Sequence, residues 1–134
     1  MRNRETKQKV RIIKPKDAGE TRRLLESGNY DIVLSPEAGK RKNTLRTIDS
    51  GMNEVLMGLA AKQGIALGID VTELRMLSSQ EQAERLTRIR QNLVLARKAH
   101  VKTVLIGSKT KQTGSALLRA LGTSSQQAAQ ATDF

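Results

Sequence analysis

Leu59-Ala60-Ala61-Lys62-Gln63-Gly64, running straight into Ile65-Ala66-Leu67-Gly68-Ile69, decides the fold. The first six residues are a helical pattern that ends on a glycine, the residue that takes the left-handed conformation of a helix C-terminus without steric cost. The next five are apolar with no polar alternation, as in a strand of a parallel sheet covered on both faces. The same grammar recurs upstream, where Leu24-Leu25-Glu26-Ser27-Gly28-Asn29 precedes Asp31-Ile32-Val33-Leu34. It recurs downstream, where Leu93 to His100 precedes Thr103-Val104-Leu105-Ile106-Gly107. A weaker run, Val10-Arg11-Ile12-Ile13, reads as an earlier strand before Pro15. Helices alternating with such strands mean βα units, a parallel sheet and right-handed crossovers.

The helices between the strands can be placed. Asp17 fits the N-cap of a helix reaching about Ser27, and Ser50 that of a helix over residues 51–63 with Met52, Val55, Leu56 and Leu59 on one face. Ser78 with Glu81, or Ser79 with Gln82, fits a capping box before the longest helix. On that helix Ala83, Leu86, Ile89, Leu93 and Ala96 form the buried stripe, leaving Glu84, Arg85, Arg88, Gln91 and Lys98 towards solvent. A further helix is expected over residues 113–121, and the Ser-, Gln- and Ala-rich tail 123–134 is either a marginal helix or disordered. The chain thus divides into a basic N-terminal segment (1–16), an α/β body (17–122) and the tail. A closed eight-stranded barrel takes about 250 residues. At 134 residues the chain is half a barrel or a small open sheet, and either form has sheet edges to cover.

Composition narrows the partners. Twenty-four Lys and Arg against thirteen Asp and Glu give a net charge of +11, a self-repulsion that a polyanion would relieve. No apolar run is long enough to span a membrane, and the N-terminal residues carry no apolar segment that would serve as a signal peptide. The chain has no cysteine, which rules out thiolate zinc and disulfides. A cytoplasmic protein is the expectation.

Charge is also segregated. Arg2, Arg4, Lys7, Lys9, Arg11, Lys14 and Lys16 face Glu5 alone, and Lys40, Arg41, Lys42 and Arg46 have no acid among them. After Glu84 come nine cations and one acid, Asp133. Faces of this kind track phosphate and release counterions. With Tyr30 and Phe134 the only aromatics, base stacking is not the means, so recognition is of backbone and shape.

In a parallel βα fold, function gathers in the loops after the strands. Glu37, Asp70 and Glu73 begin two of those loops and have the chemistry of general acids, bases or hard-metal ligands. Helix capping, or pairing with Arg41, Lys42 and Arg75, accounts for the same residues. The single histidine, His100, sits at a helix C-terminus, where it interacts favourably with the dipole. Residues 107–115 resemble a phosphate loop without matching its motif, and Lys109 and Lys111 before a helix N-terminus suit a backbone phosphate.

The central residues carry a family resemblance. Asp31-Ile32-Val33-Leu34-Ser35-Pro36, Lys40-Arg41-Lys42, the stretch Asp49 to Leu59 and Gly64-Ile65-Ala66-Leu67-Gly68-Ile69 resemble the barrel-type protein subunit of archaeal and eukaryotic ribonuclease P, also called ribonuclease P protein component 3. Arg85 to Lys98 resembles its long helix, and Val104-Leu105-Ile106-Gly107-Ser108 its next strand and loop. The resemblance implies a partial, half TIM-like barrel and a subunit without an active site of its own. It also implies a hydrolytic endonuclease holoenzyme that removes the 5′ leader of precursor tRNA, with the chemistry in the catalytic RNA and its magnesium ions. The implied partners are the ribonuclease P RNA, a ferredoxin-like protein subunit and, indirectly, precursor tRNA. Lys40, Arg41, Lys42, Arg46, Ser108, Lys109 and Lys111 are the RNA-binding candidates.

Family members are considerably longer, and the residues here resemble their C-terminal half. Asn53-Glu54 stands where the family has Asp-His, and Thr72-Glu73 where it has Arg-Pro. A homodimer or a heteromeric complex is therefore expected to complete the barrel. Two further readings are a small metal-dependent hydrolase of the phosphoesterase type and a generic RNA-binding protein.

Overall fold

A computed structural model describes residues 10–38, 49–107 and 132–133. The elements alternate as the sequence predicts: β1 (Ile12–Ile13), α1 (Ala18–Ser27), β2 (Ile32–Leu34), α2 (Glu54–Gln63), β3 (Ala66–Asp70), α3 (Val71–Arg75), α4 (Ser79–Ala99), β4 (Thr103–Ile106) and β5 (Thr132–Asp133). Asp17 caps α1 by accepting from the Glu20 amide, and Gly28 and Gly64 end α1 and α2 in the left-handed conformation. Of the two capping boxes that the sequence offers, Ser78 with Glu81 is the one formed. Thr132–Asp133, inside the segment read as a marginal helix or disordered, pair with β4 as a short strand. The helix expected at 113–121 lies outside the described residues.

All five strands are parallel and stand in the order β1-β2-β3-β4-β5. That order separates the two architectures left open above. An open doubly wound sheet reverses its order at a switch point, whereas successive right-handed crossovers in one direction lay every helix on one face, as in a barrel wall. The helices do form one layer, with α1 against α2 and α2 against α4. The fold is a partial TIM-like barrel.

The core lies between that layer and the sheet. Val33, Leu67, Ile69 and Leu105 point from the strands into Leu25 of α1, Leu56, Met57 and Ala60 of α2, and Ile89, Leu93 and Ala96 of α4. The other face is tightly built at its centre, where a Cβ on Gly68 would come within 2.7 Å of Ile32 Cγ2.

Three helical expectations change. The α2 cap is Asn53, whose side chain accepts from the Leu56 amide, and not Ser50, which is buried in the loop before it. The buried arc of α2 is Leu56, Met57 and Ala60, centred by its two helical neighbours, and Val55 is exposed. On α4, Ile89, Leu93 and Ala96 are buried and Ala83 is exposed, but Arg85 and Arg88 are buried, not solvent-facing. Arg85 meets Glu37 and Glu73 there, acids that follow β2 and β3.

Candidate functional site

Lys14, Glu37 and Glu73 follow β1, β2 and β3, so the topology gathers them at the carboxyl ends of the strands, and Arg85 reaches them from the second turn of α4. Its guanidinium donates from Nε (3.2 Å) and Nη2 (2.9 Å) to Glu37 Oε2, and Nη2 also lies 2.7 Å from Glu73 Oε1. Lys14 Nζ donates to the other Glu73 oxygen. Two carboxylates and two cations thus form one neutral cluster across three strand ends.

Burial divides the cluster. Glu37 is 1% exposed, and that burial holds its carboxyl above the ordinary range against the opposing pull of Arg85. Glu73 is partly open. Burial pushes it up, but the bonds from Lys14 and Arg85 outweigh this and hold it below the ordinary range. The Arg85 guanidinium loses solvation, yet the charge of Glu37 and the bonds to both carboxylates hold its proton more tightly than usual. Asp70 is engaged elsewhere, capping α3 by accepting from the Glu73 amide at 3.0 Å. The three carboxylates that could have served as acid, base or metal ligands are therefore held in pairing and capping, by Arg85, Lys14 and the Glu73 amide; of the partners expected from the sequence, Arg41 and Lys42 lie outside the described residues. Among the described residues no group of His, Asp or Glu is assembled that could hold a metal ion.

A second polar anchor lies two turns along α4. Asn92, 1% exposed, donates to the Ser50 carbonyl at 2.9 Å, and Gln91 donates to the Ser50 hydroxyl at 3.0 Å. Ser50 in turn donates to the Met52 carbonyl. Glu37 and Ser50 bracket the basic run Lys40-Arg41-Lys42 and Arg46. Arg85 and Asn92, seven residues apart on one helix, thus pin the chain before and after that run at points about 10 Å apart along α4.

The start of that loop is also strained. Ser35 has φ +48°, a conformation that non-glycine residues other than Asn, Asp and His rarely adopt, and its hydroxyl is buried with no hydrogen-bond partner among the described residues. Its amide donates to the Gly68 carbonyl (2.9 Å) and its carbonyl accepts from the Ala38 amide (3.0 Å), so the turn is held from both sides. At the end of β4, Gly107 sits so close to α3 that a Cβ there would overlap the Thr72 hydroxyl.

Lys40, Arg41, Lys42, Arg46, Ser108, Lys109 and Lys111 all lie outside the described residues; the structure fixes their flanks Ala38, Asp49 and Gly107. Within the N-terminal basic segment, Arg11 pairs with Asp31, whose carboxyl is held low mainly by the Arg11 amide, and Lys14 belongs to the cluster above. His100 is the left-handed C-cap of α4, a backbone role. None of Arg85, Asn92, Ser50 and Ser35 was a site candidate in the sequence, where Ser50 reads as a helix cap and Arg85 as solvent-facing. The 85, 88, 92 spacing, one stripe of a helix, was the available signal.

No family model matches the chain, and no curated protein matches it. Among solved structures it is similar to a chain of the "cryo-EM structure of archaeal Ribonuclease P with mature tRNA", with a TM-score of 0.74 and 26% identity over 90% of this chain and 52% of the other. The resemblance to the barrel-type ribonuclease P subunit drawn from the central residues is borne out by that match. The chain spans about half the length of this neighbour.

Proposed function

We propose that the chain is an RNA-binding protein subunit of ribonuclease P, supporting a catalytic RNA in removing the 5′ leader from precursor tRNA. The observation that carries this reading is the fold match to a chain of archaeal ribonuclease P over nine-tenths of this sequence. The net charge of +11 and the scarcity of aromatics support a backbone-gripping role. The engagement of Glu37, Asp70 and Glu73 in pairing and capping favours a supporting subunit over a hydrolase of the phosphoesterase type. Lys40, Arg41, Lys42 and Arg46, between the two α4 anchors, and Ser108, Lys109 and Lys111, after β4, are the proposed contacts. The proposed partners are the ribonuclease P RNA, a ferredoxin-like protein subunit and an element, a second copy among the candidates, that completes the barrel. Magnesium belongs in this reading to the RNA.

Reconstitution tests it. Added to a cognate ribonuclease P RNA with the ferredoxin-like subunit, the chain should lower the magnesium concentration needed to cleave precursor tRNA. Unchanged magnesium dependence, with folded protein present, would leave only sequence-independent RNA binding.

A further inference from the structure

Four described cations on β1, α1 and the turn between them are answered by acids: Arg11 by Asp31, Lys14 by Glu73, Arg22 by Glu26 and Arg23 by Glu20. Arg90, Arg97 and Lys98 on α4, and Lys102 just after it, are exposed and make no ion pair with any described residue. No Asp or Glu occurs between Glu84 and Gly107.

The helix repeat places these charges together. Arg90 and Arg97 are seven residues apart, hence on one stripe and about 10 Å apart along the axis, with Thr87 and Val94 on the same outward face. The adjoining stripe, Ile89, Leu93 and Ala96, is buried in the core, which holds the helix in a rotation that leaves Arg90 and Arg97 exposed. The acid that borders this face is Glu54 of α2, which lines a groove with Leu95, Lys98 and Ala99 without pairing to Lys98. Lys62 at the end of α2 adds another exposed cation to the helix layer.

Helix electrostatics explain part of this pattern. Arg97 and Lys98 stand in the last turn, where positive charge offsets the helix dipole. Arg90 lies two turns further back and Lys102 lies past the helix end, so the dipole accounts for neither. Four unanswered cations without an acid among them raise the local counterion density, and phosphate displaces those counterions with a gain in entropy.

We infer that the outward face of α4, formed by Arg90, Arg97 and Lys98 with Lys102, is a second RNA surface that holds the phosphate backbone of a folded RNA. It is distinct from the basic segments 40–46 and 108–111. Those segments follow β2 and β4 in the sequence, beyond the carboxyl ends of the strands, whereas Lys102 immediately precedes β4 and so stands at the opposite end of the sheet. A helix of 21 residues measures about 30 Å, so an RNA gripped at both places is engaged along most of the molecule. The inference rests on the RNA-binding reading and assigns it a surface.

The test compares two triple variants of the full chain that remove the same charge. One is Arg90→Gln/Arg97→Gln/Lys98→Gln; the other is Arg11→Gln/Arg22→Gln/Arg23→Gln, three cations that each face an acid. Each is checked for native circular dichroism, then titrated with a folded precursor tRNA transcript between roughly 50 and 200 mM salt, the range over which phosphate contacts lose most affinity. The α4 variant should lower the log–log salt slope by about three, one per lost contact, and weaken binding to unrelated folded transcripts equally. The acid-paired variant should leave the slope at the wild-type value. Equal slopes for wild type and the α4 variant would overturn the inference. So would loss of binding to phosphatidylserine vesicles by that variant with RNA binding intact, which would reassign the surface to membrane. A wild-type chain that binds no transcript at any salt would instead remove the RNA-binding reading itself.

Discussion

Replacing Arg85 by methionine leaves the Glu37 carboxylate, 1% exposed, with no cation beside it. Three charge-assisted hydrogen bonds go with the guanidinium, two to Glu37 and one to Glu73, which keeps Lys14. Removing one partner of a buried pair costs roughly 3–5 kcal/mol, mostly the penalty of a stranded charge. That is a large share of the 5–15 kcal/mol by which domains are usually stable. At about 4 °C per kcal/mol for a domain of this size, Tm should fall by roughly 12–20 °C. The signature that separates this account from lost packing is its pH dependence. Glu37 already titrates above its ordinary value of 4.5 because it is buried, and without Arg85 it rises further. A carboxyl raised in the folded state contributes stability that is present below its unfolded value and lost as pH rises through the folded one. The deficit of Arg85→Met should therefore be small near pH 4 and full above the raised Glu37 value. The chain lacks tryptophan, so urea unfolding followed by far-UV circular dichroism across this range is the assay. Adding Glu37→Gln should recover much of the loss, because replacing both partners of a buried pair by neutral groups is far less costly than breaking it. A deficit that is constant with pH, or a double variant no more stable than Arg85→Met, would refute the stranded-charge argument.

Two further outcomes follow from the loop anchors. Asn92→Leu removes the donor to the buried Ser50 carbonyl and should cost about 1–3 kcal/mol in urea unfolding; RNA affinity should drop at every salt concentration with the salt slope unchanged, since no phosphate contact is deleted. Ser35→Gly relieves a left-handed non-glycine residue and removes a buried hydroxyl without a partner among the described residues, so it should raise stability by about 1 kcal/mol; a lower urea midpoint would show that the hydroxyl has a partner essential to the fold.

The parts of this molecule that were legible in its sequence are those set by local chemistry. Gly28 and Gly64 mark left-handed helix ends because other residues resist that conformation, and the continuous apolar runs at Ile32, Leu67 and Val104 mark covered parallel strands. The parts that were not legible are set by tertiary contact. A polarity-based reading of α4 sends Arg85 and Arg88 to solvent, because the acid that buries Arg85, Glu37, is 48 residues away. Ser50 is as good a cap as Asn53 by side-chain chemistry, and only its capture by Gln91 and Asn92 decides between them. The left-handed Ser35 carries no local marker, since serine is not enriched in that conformation. The candidate contact residues were recognised as basic runs, but the two anchors that hold Glu37 and Ser50 on either side of residues 40–46 became visible only when the strand ends and α4 came together.

That convergence explains why the longest helix is also the most polar in its buried positions. An ordinary wall helix of a barrel needs one apolar stripe, and Ile89, Leu93 and Ala96 supply it. Arg85 and Asn92 use the adjacent stripe to reach over the strand ends and fasten two loop entrances. Arg90, Val94 and Arg97 occupy the third, outward stripe. Because the three stripes belong to one rigid rod, the spacing between the loop anchors and the outward cations is fixed by the helix repeat and not by flexible linkers. An RNA that engages both is selected by the distance between its phosphates, a specificity of shape that requires neither aromatic side chains nor base contacts. Exchanging Arg90 with Thr87 and Arg97 with Val94 (Thr87→Arg/Arg90→Thr/Val94→Arg/Arg97→Val) tests this, since it moves both cations three residues, about 4.5 Å, towards the helix N-terminus while removing no charge and leaving Ile89, Leu93 and Ala96 in the core. If shape is what is read, affinity for folded transcripts should fall while affinity for unstructured polyanions such as heparin holds. Unchanged affinity for folded transcripts would refute it.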